Sequence, residues 1–378
     1  MKKKILITYA MYGNGHRAVA EYIEKYFKKQ DPELEILAID LLKYSMPILG
    51  SLSQKVTDFF LLKFPTGWST IYNIFDHKIS SEVANYMTSG LFRNKRMKKV
   101  ITDFNPDLTI STHFFGSSLI DLYNRKGYIN TKLITVVTDY EAHSLWLKGA
   151  KSETAIVVGD KDEAKYLVKK GVSPKIIKPL GIPIHPITSS DFNPKTAIKK
   201  YGFTGKRPIC LFFGGGGNGG VLSLPYIKEI IKSNLNIDFI YVAGKNQDSK
   251  AKVDSWVEEQ GAKNVVTLGY VNNVPELLQM CDFVVSKPGG AQTTESLYFK
   301  KPILMINCSG GQEVGNYKYF ERMGYGRRFR FVFTFMNFIK EISKHPKTLD
   351  KMRKNMEKNK SEKAMEKLYD IAIKALKK

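Results

Sequence analysis

One junction recurs along this chain and constrains its fold more than any other feature. A short apolar run ends in a glycine-rich turn, and an amphipathic segment follows. It occurs after Ile5–Tyr9 (Gly13-Asn14-Gly15-His16), after Ile209–Phe213 (Gly214 to Gly220), after Phe283–Val285 (Ser286 to Glu295) and after Ile303–Ile306 (Ser309 to Asn316). Apolar runs bounded by turns read as buried strands, and alternation with helical segments argues for parallel βα units. Further strands are expected at Leu34–Ile39, Asp107–Ser111, Leu133–Thr138 and Thr154–Val158, then at Phe239–Ala243 and Val265–Leu268. His16–Lys29 reads as a helix with Val19, Tyr22, Ile23, Tyr26 and Phe27 on one face. Helices are also expected near Leu224–Lys232, Lys250–Glu259, Val274–Met280 and Gln292–Phe299.

Two doubly wound sheets therefore fit in one chain. The 378 residues exceed one ordinary hydrophobic core and suit two domains. The expected division is a first domain over 1–180, a linker over 181–196, a second domain over 197–345 and a basic helical segment over 346–378. The linker is placed on the Pro-, Gly- and Ser-rich stretch after Ile177. Two Rossmann-like α/β domains of this kind are expected to face a central cleft, with ligands at the C-terminal strand ends.

Composition adds two bounds. The three cysteines, Cys210, Cys281 and Cys308, have no CxxC spacing and read as reduced thiols. The formal net charge of +23 suits an anionic partner: nucleic acid, an acidic membrane or a phosphorylated substrate. No apolar stretch approaches the roughly 20 residues of a spanning helix. The N-terminal run is too short for a signal peptide and leads into a glycine turn, so a cytoplasmic location is expected.

Each junction carries candidate chemistry beside a structural alternative. His16, at a strand's C-terminal end with a pKa naturally near neutrality, suits a general base; helix capping or packing is the alternative. Six of the seven residues from Gly214 to Gly220 are glycine, which lets backbone N–H groups approach a diphosphate; a hinge is the alternative. Gly289 and Gly290 open a helix whose Thr293 and Thr294 offer hydroxyls and amides to phosphate. Glu295 suits a ribose diol, although Thr with a nearby Glu also starts helices. Gln312, Glu313 and Asn316 suit sugar hydroxyls or form an ordinary polar loop. Asp139, which follows Thr138 at a strand end, serves as base, orients His16, or caps.

A membrane-facing segment is expected over 45–75, where Phe59, Phe60, Phe64 and Trp68 are interrupted by lysines. Arg93, Lys95, Arg96, Lys98 and Lys99 follow within seven residues. Apolar insertion with a polybasic patch is the two-signal arrangement that stable anchoring needs. A buried helical subdomain with a solvated basic face is the alternative.

Taken together, GNGH, VTDYEAHSLW, FFGGGGNGG, SKPGGAQTTESL and GGQEVGN occur in an order that resembles the monogalactosyldiacylglycerol synthases and the bacterial processive diacylglycerol glucosyltransferases. Both are related to the peptidoglycan N-acetylglucosaminyltransferase. The resemblance covers roughly residues 1–330. It implies the GT-B fold and inverting transfer from UDP-glucose or UDP-galactose to diacylglycerol. It further implies no cofactor and no metal, and the residues are read as having no Asp-x-Asp motif that would hold one.

Residue by residue, the resemblance implies that His16 or Asp139 deprotonates the lipid hydroxyl and that Gly13 and Gly15 lie on the acceptor side. Gly215, Gly216, Gly217 and Asn218 lie at the diphosphate, and the backbone of Val271 meets uracil. Glu295 binds ribose and Gln312 and Glu313 bind the sugar, while His143 and Trp146 lie near the lipid. The expected setting is peripheral, at the cytoplasmic face of the membrane, on anionic lipids and without nucleic acid. The segment GRRFRFVFTF from Gly326 lies outside the resemblance. Alternatives are a lipid-linked muropeptide transferase, a UDP-N-acetylglucosamine epimerase and, more distantly, a basic nucleic-acid-binding protein.

Overall fold

The computed structural model describes residues 2–10, 15–45, 94–147, 153–185, 192–215, 219–308 and 310–377. The chain divides into two units. The first comprises Met1–His185, Gly310–Gly315 and Lys360–Lys378, and the second Pro186–Ser309 and Asn316–Asn359.

The first unit is built on β1 (Lys4–Tyr9), β2 (Glu35–Asp40), β3 (Leu108–Ser111), β4 (Lys132–Val136), β5 (Glu153–Val158) and β6 (Ile177–Pro179). They form one parallel sheet in the order β2-β1-β3-β4-β5-β6. Helix α1 (Gly15–Gln30) follows β1 and buries Val19, Ala20, Ile23, Tyr26 and Phe27. After α2 (Leu41–Ser45) comes α3 (Lys95–Phe104). Asn94 caps α3 by accepting from Met97 N at 2.7 Å, and Asn105 ends it in the left-handed region at φ 45°.

Helix α4 (Phe114–Arg125) follows β3 and packs very close to the sheet. A Cβ on Gly116 would stand 2.2 Å from Thr8 Oγ1 and 2.3 Å from Ser111 Oγ, so only glycine fits there. Helix α5 (Lys161–Lys169) is capped by Asp160, which accepts from Glu163 N at 2.8 Å.

The second unit contains α6 (Pro194–Lys200), β7 (Ile209–Phe213), α7 (Gly219–Lys232), β8 (Asp238–Val242), α8 (Gln247–Gln260), β9 (Val265–Leu268), α9 (Val274–Met280), β10 (Phe283–Ser286) and α10 (Gly290–Tyr298). It continues through β11 (Ile303–Met305), α11 (Gln312–Arg322), β12 (Gly326–Arg328), α12 (Val332–Lys344) and α13 (Asp350–Glu357); α11 starts in the Gly310–Gly315 piece assigned to the first unit. Its sheet is also parallel, in the order β12-β11-β10-β7-β8-β9. Phe212, Phe239, Tyr241, Phe283 and Phe335 fill its core.

The boundaries differ from those read in the sequence. The stretch after Ile177 begins with a strand, β6, and the first unit runs on to His185. The expected linker ends inside α6, whose Asn193 cap accepts from Lys195 N at 2.9 Å. The basic C-terminal segment is not one body. Residues to Asn359 belong with the second unit, whereas α14 (Ala364–Lys377) belongs with the first. There Tyr369 meets the Phe27 ring at 5.0 Å, and α14 buries Met365, Leu368 and Ala372.

Candidate active site

In a doubly wound sheet the strand order reverses at one point, and ligands bind beyond the C-terminal strand ends there. In the first sheet the reversal lies between β1 and β3, and in the second between β7 and β10. The candidate residues concentrate at these two places.

At the first, His16 stands at the start of α1 and is buried. Its Nδ1 lies 2.7 Å from the carbonyl oxygen of Thr112, just past β3. Thr112 Oγ1 in turn donates to the carbonyl of His16 at 2.9 Å. A carbonyl only accepts, so His16 Nδ1 carries the hydrogen and the lone pair rests on Nε2. Thr138 Oγ1, beyond β4, also lies 2.7 Å from Nδ1. Burial lowers the His16 pKa, and the neighbouring Asp139 carboxylate and the Thr112 carbonyl oppose that shift. The imidazole is therefore neutral at pH 7, next to a carboxylate that favours a proton's arrival. Gly15 is the first residue of α1.

His113 belongs to the same cluster, although its signal in the sequence is an ordinary helix cap. Its ring meets His16 edge-on at 4.6 Å, and its Nδ1 accepts from Phe115 N at 3.2 Å. The lone pair is thus on Nδ1 and the hydrogen on Nε2, the opposite tautomer to His16. Burial, then the nearby His16, holds the His113 pKa well below the usual histidine value. Hydroxyls fix the turn: Thr8 Oγ1 donates to Ser111 Oγ at 2.9 Å, and Ser111 Oγ donates to the His113 carbonyl at 2.7 Å.

His143 and Trp146 are both buried. His143 Nδ1 accepts from Leu145 N at 3.2 Å, and Trp146 packs among Val137, Ala142, Ile156 and Val158. Trp146 is a core residue first, with its ring 6.4 Å from His16.

At the second reversal point, β7 runs into Gly214 and Gly215. A Cβ on Gly214 would stand 2.5 Å from Tyr241 Oη, and Gly215 has φ 98°, so both positions need glycine. Beyond β10, α10 starts at Gly290 with Gly289 as a cap that has no side chain to offer. The first internal helix bond is Thr293 N to Gly289 O, which leaves the amides of Gly290, Ala291 and Gln292 outside the helix ladder. Amides at a helix start favour an anion.

The polar side chains around this turn have partners within the second unit. Thr293 Oγ1 donates to Gly289 O at 2.9 Å, and Thr294 Oγ1 donates to Gly290 O at 2.6 Å. Both threonines are buried, and their hydroxyls donate within the helix. Asn316 is fully buried, and its Nδ2 donates to Pro288 O at 2.9 Å. It braces the Lys287–Gly290 turn.

Glu295, Val271, Gln312 and Glu313 are each partly exposed. Glu295 lies on α10, Val271 in the β9–α9 turn, and Gln312 and Glu313 at the start of α11.

The polybasic run lies on α3, where Met97 and Ile101 are buried while Lys95, Arg96 and Lys99 are exposed. Lys98 Nζ sits 3.3 Å from the Tyr128 ring centroid, and Lys99 pairs with Asp103 at 2.9 Å. Gly13, Gly216, Gly217, Asn218, Phe59, Phe60, Phe64, Trp68 and Arg93 lie outside the described residues.

The chain does contain one Asp-x-Asp triplet, Asp160-Lys161-Asp162, contrary to the reading of the sequence. Asp160 caps α5, and Asp162 pairs with Lys165 at 3.0 Å. Among the described residues no helix is long and apolar enough to cross a membrane.

Residues 16–184 match the family model for monogalactosyldiacylglycerol (MGDG) synthase, and residues 224–360 match that for glycosyl transferases group 1. The chain is 29% identical over 332 residues to the processive diacylglycerol beta-glucosyltransferase of Bacillus mycoides, covering 85% of this chain and 80% of that protein. The enzyme of the same name from Bacillus pumilus is 29% identical over 325 residues, 85% of this chain and 82% of its own.

Among solved structures, Acinetobacter baumannii MurG superposes with a TM-score of 0.59 at 12% identity, covering 98% of this chain and 99% of that one. Anabaena HepE in complex with UDP gives 0.54 at 12% identity, covering 100% and 98%. These likenesses carry the fold, and the family matches carry the class of reaction. The chain is a glycosyltransferase of the GT-B fold, similar over residues 16–184 to the MGDG synthases and over residues 224–360 to the group 1 glycosyltransferases.

Proposed function

We propose that this enzyme transfers glucose or galactose from a UDP-sugar to the 3-hydroxyl of diacylglycerol, with inversion, at the cytoplasmic surface of the membrane. The observation that carries the reading is the hydrogen bond between Nδ1 of the buried His16 and the Thr112 carbonyl. With its hydrogen on Nδ1 toward Thr112 O, the imidazole holds its lone pair on Nε2. Burial keeps it unprotonated at neutral pH, as a general base requires.

The lipid hydroxyl gives its proton to His16 as its oxygen attacks the anomeric carbon from the face opposite UDP. Asp139 stabilises the imidazolium that forms. UDP leaves as its bond to the sugar breaks. Its new charge meets the amides at the start of α10 and the backbone beyond β7, where glycines let an anion approach closely. Glu295 binds the ribose, the backbone of Val271 meets uracil, and Gln312 and Glu313 bind the hexose. The scheme uses no metal and no cofactor. The diacylglycerol acceptor is supported by the names of the Bacillus relatives, and the UDP donor by the complex of HepE.

The test is incubation of purified protein with vesicles of diacylglycerol and phosphatidylglycerol, offering UDP-glucose and UDP-galactose separately. Formation of a β-linked hexosyl-diacylglycerol from one donor supports the reading. UDP release with no lipid product, or an α-linked product, sinks it.

A further inference from the structure

The GRRFRFVFTF segment plays no part in the scheme above, yet its placement is unusual. Phe331 and Phe333, at the start of α12, are 62% and 72% exposed. On α7, Val221 and Leu222 are 54% and 41% exposed. Val221 on α7 and Val332 on α12 line one groove of the second unit. Val332, between the two phenylalanines, lines a groove with Val221, Leu224, Pro225 and Trp256. Tyr226 Oη, on α7, donates to the carbonyl of Arg330 at 3.4 Å and so ties the turn before Phe331 to that helix.

The surround is basic. Lys228 and Lys232 line the groove, and Arg330 is exposed beside Phe331. Lys228 Nζ lies 4.8 Å from the Trp256 ring centroid. The acid among the groove residues, Glu229, is paired with Lys232 at 3.1 Å. Scattered single apolar residues on a surface carry no message, whereas a contiguous patch does. Exposed aromatic side chains flanking a groove lined by lysines match the boundary of an anionic bilayer. There rings enter the acyl region, and flexible cationic stems reach the headgroups.

We propose that Phe331 and Phe333, with the start of α7, insert into the headgroup region of an anionic membrane and give the second unit its own lipid contact. The proposal rests on the reading above only in its purpose, since diacylglycerol resides in a bilayer; the contact itself is measurable without catalysis.

Vesicle flotation of the full chain tests it, with phosphatidylcholine vesicles made with and without phosphatidylglycerol. The Phe331→Ser/Phe333→Ser variant, whose changed side chains are exposed and so spare the core, is expected to lose about tenfold or more of its partition onto anionic vesicles. Circular dichroism melting confirms that it folds. In a second variant, Phe333→Trp, the new indole should shift to the blue and be quenched by brominated acyl chains on anionic vesicles alone. Equal partition of wild type and double variant, or an unquenched indole at 333, overturns the proposal. So does a dimer held by these phenylalanines with no vesicle binding, which would make the patch a contact between copies. Sugar transfer to detergent-dispersed diacylglycerol is measured alongside. Its absence in wild type defeats the catalytic reading alone, and its persistence in the double variant shows that the lost function is membrane contact.

Discussion

His16 and Thr112 are joined by two reciprocal hydrogen bonds: the imidazole Nδ1 reaches the Thr112 carbonyl at 2.7 Å, and the Thr112 hydroxyl donates to the His16 carbonyl at 2.9 Å. The pair spans the reversal point between β1 and β3. It fixes the ring, its tautomer and the turn that follows β3 together. Removing the ring with His16→Ala should lower kcat by about 10²–10⁴-fold, the usual contribution of a general base. The acid limb of the wild-type pH–rate profile should lie below 6.5, because burial lowers the His16 pKa from that value.

Asp139→Asn removes the charge that opposes this lowering. The His16 pKa should fall further, and the acid limb of kcat/KM should move to lower pH. The rate on the plateau should fall about tenfold or more, because a weaker base accepts the proton less readily. An unmoved acid limb would show that Asp139 does not act through His16.

Asn316 offers a way to weaken the donor site without touching its amides. Asn316→Ala leaves the buried Pro288 carbonyl without the 2.9 Å bond it now accepts. A lost buried partner costs about 1–3 kcal/mol. KM for the UDP-sugar should rise more than kcat falls, in steady-state kinetics with the lipid saturating.

Gly116→Ala should destabilise the first unit by about 1–3 kcal/mol, read as a lower Tm. The added methyl would meet Thr8 and Ser111, the two hydroxyls that hold the His113 turn. Activity per folded molecule should fall as well, since the same displacement disturbs the ring beside His16.

Glu153 makes stability depend on pH. It is buried, with Oε1 accepting from Thr135 Oγ1 at 2.8 Å and Oε2 without a partner. Burial raises its pKa from an ordinary 4.5 to about 8. The folded state therefore holds a proton that the unfolded chain has released. Stability is full below about 4.5, falls as pH rises, and is lost once pH passes about 8. The whole effect is on the order of 3–5 kcal/mol. Glu153→Gln should remove most of this slope in urea titrations run from pH 5 to pH 9. Glu163, also raised by burial, contributes in the same direction.

Much of this arrangement was legible in the residues. Strands such as Ile209–Phe213 and Phe283–Ser286 are continuous apolar runs closed by glycine turns, and that pattern admits little else. The short strands Ile177–Pro179 and Gly326–Arg328 were not legible, because three residues carrying proline or arginine have no strand periodicity. The return of α14 to the first unit was hidden for a different reason. An amphipathic pattern shows that a helix has a buried face, not which core receives it.

His16 was legible from its place after a strand and a glycine turn. His113 was not, because its partner lies 97 positions away in the chain and its local sequence reads as a cap. The roles of Thr293, Thr294 and Asn316 depend on which way buried hydroxyls and amides turn, and local sequence does not encode that.

Transfer from UDP-glucose and UDP-galactose to diacylglycerol vesicles, measured for wild type and His16→Ala with UDP affinity determined on both proteins, tests the central claim most directly. The account predicts a glycolipid product in wild type, a loss of about 10²–10⁴-fold in the variant and unchanged UDP binding. A variant that transfers sugar at the wild-type rate would contradict it.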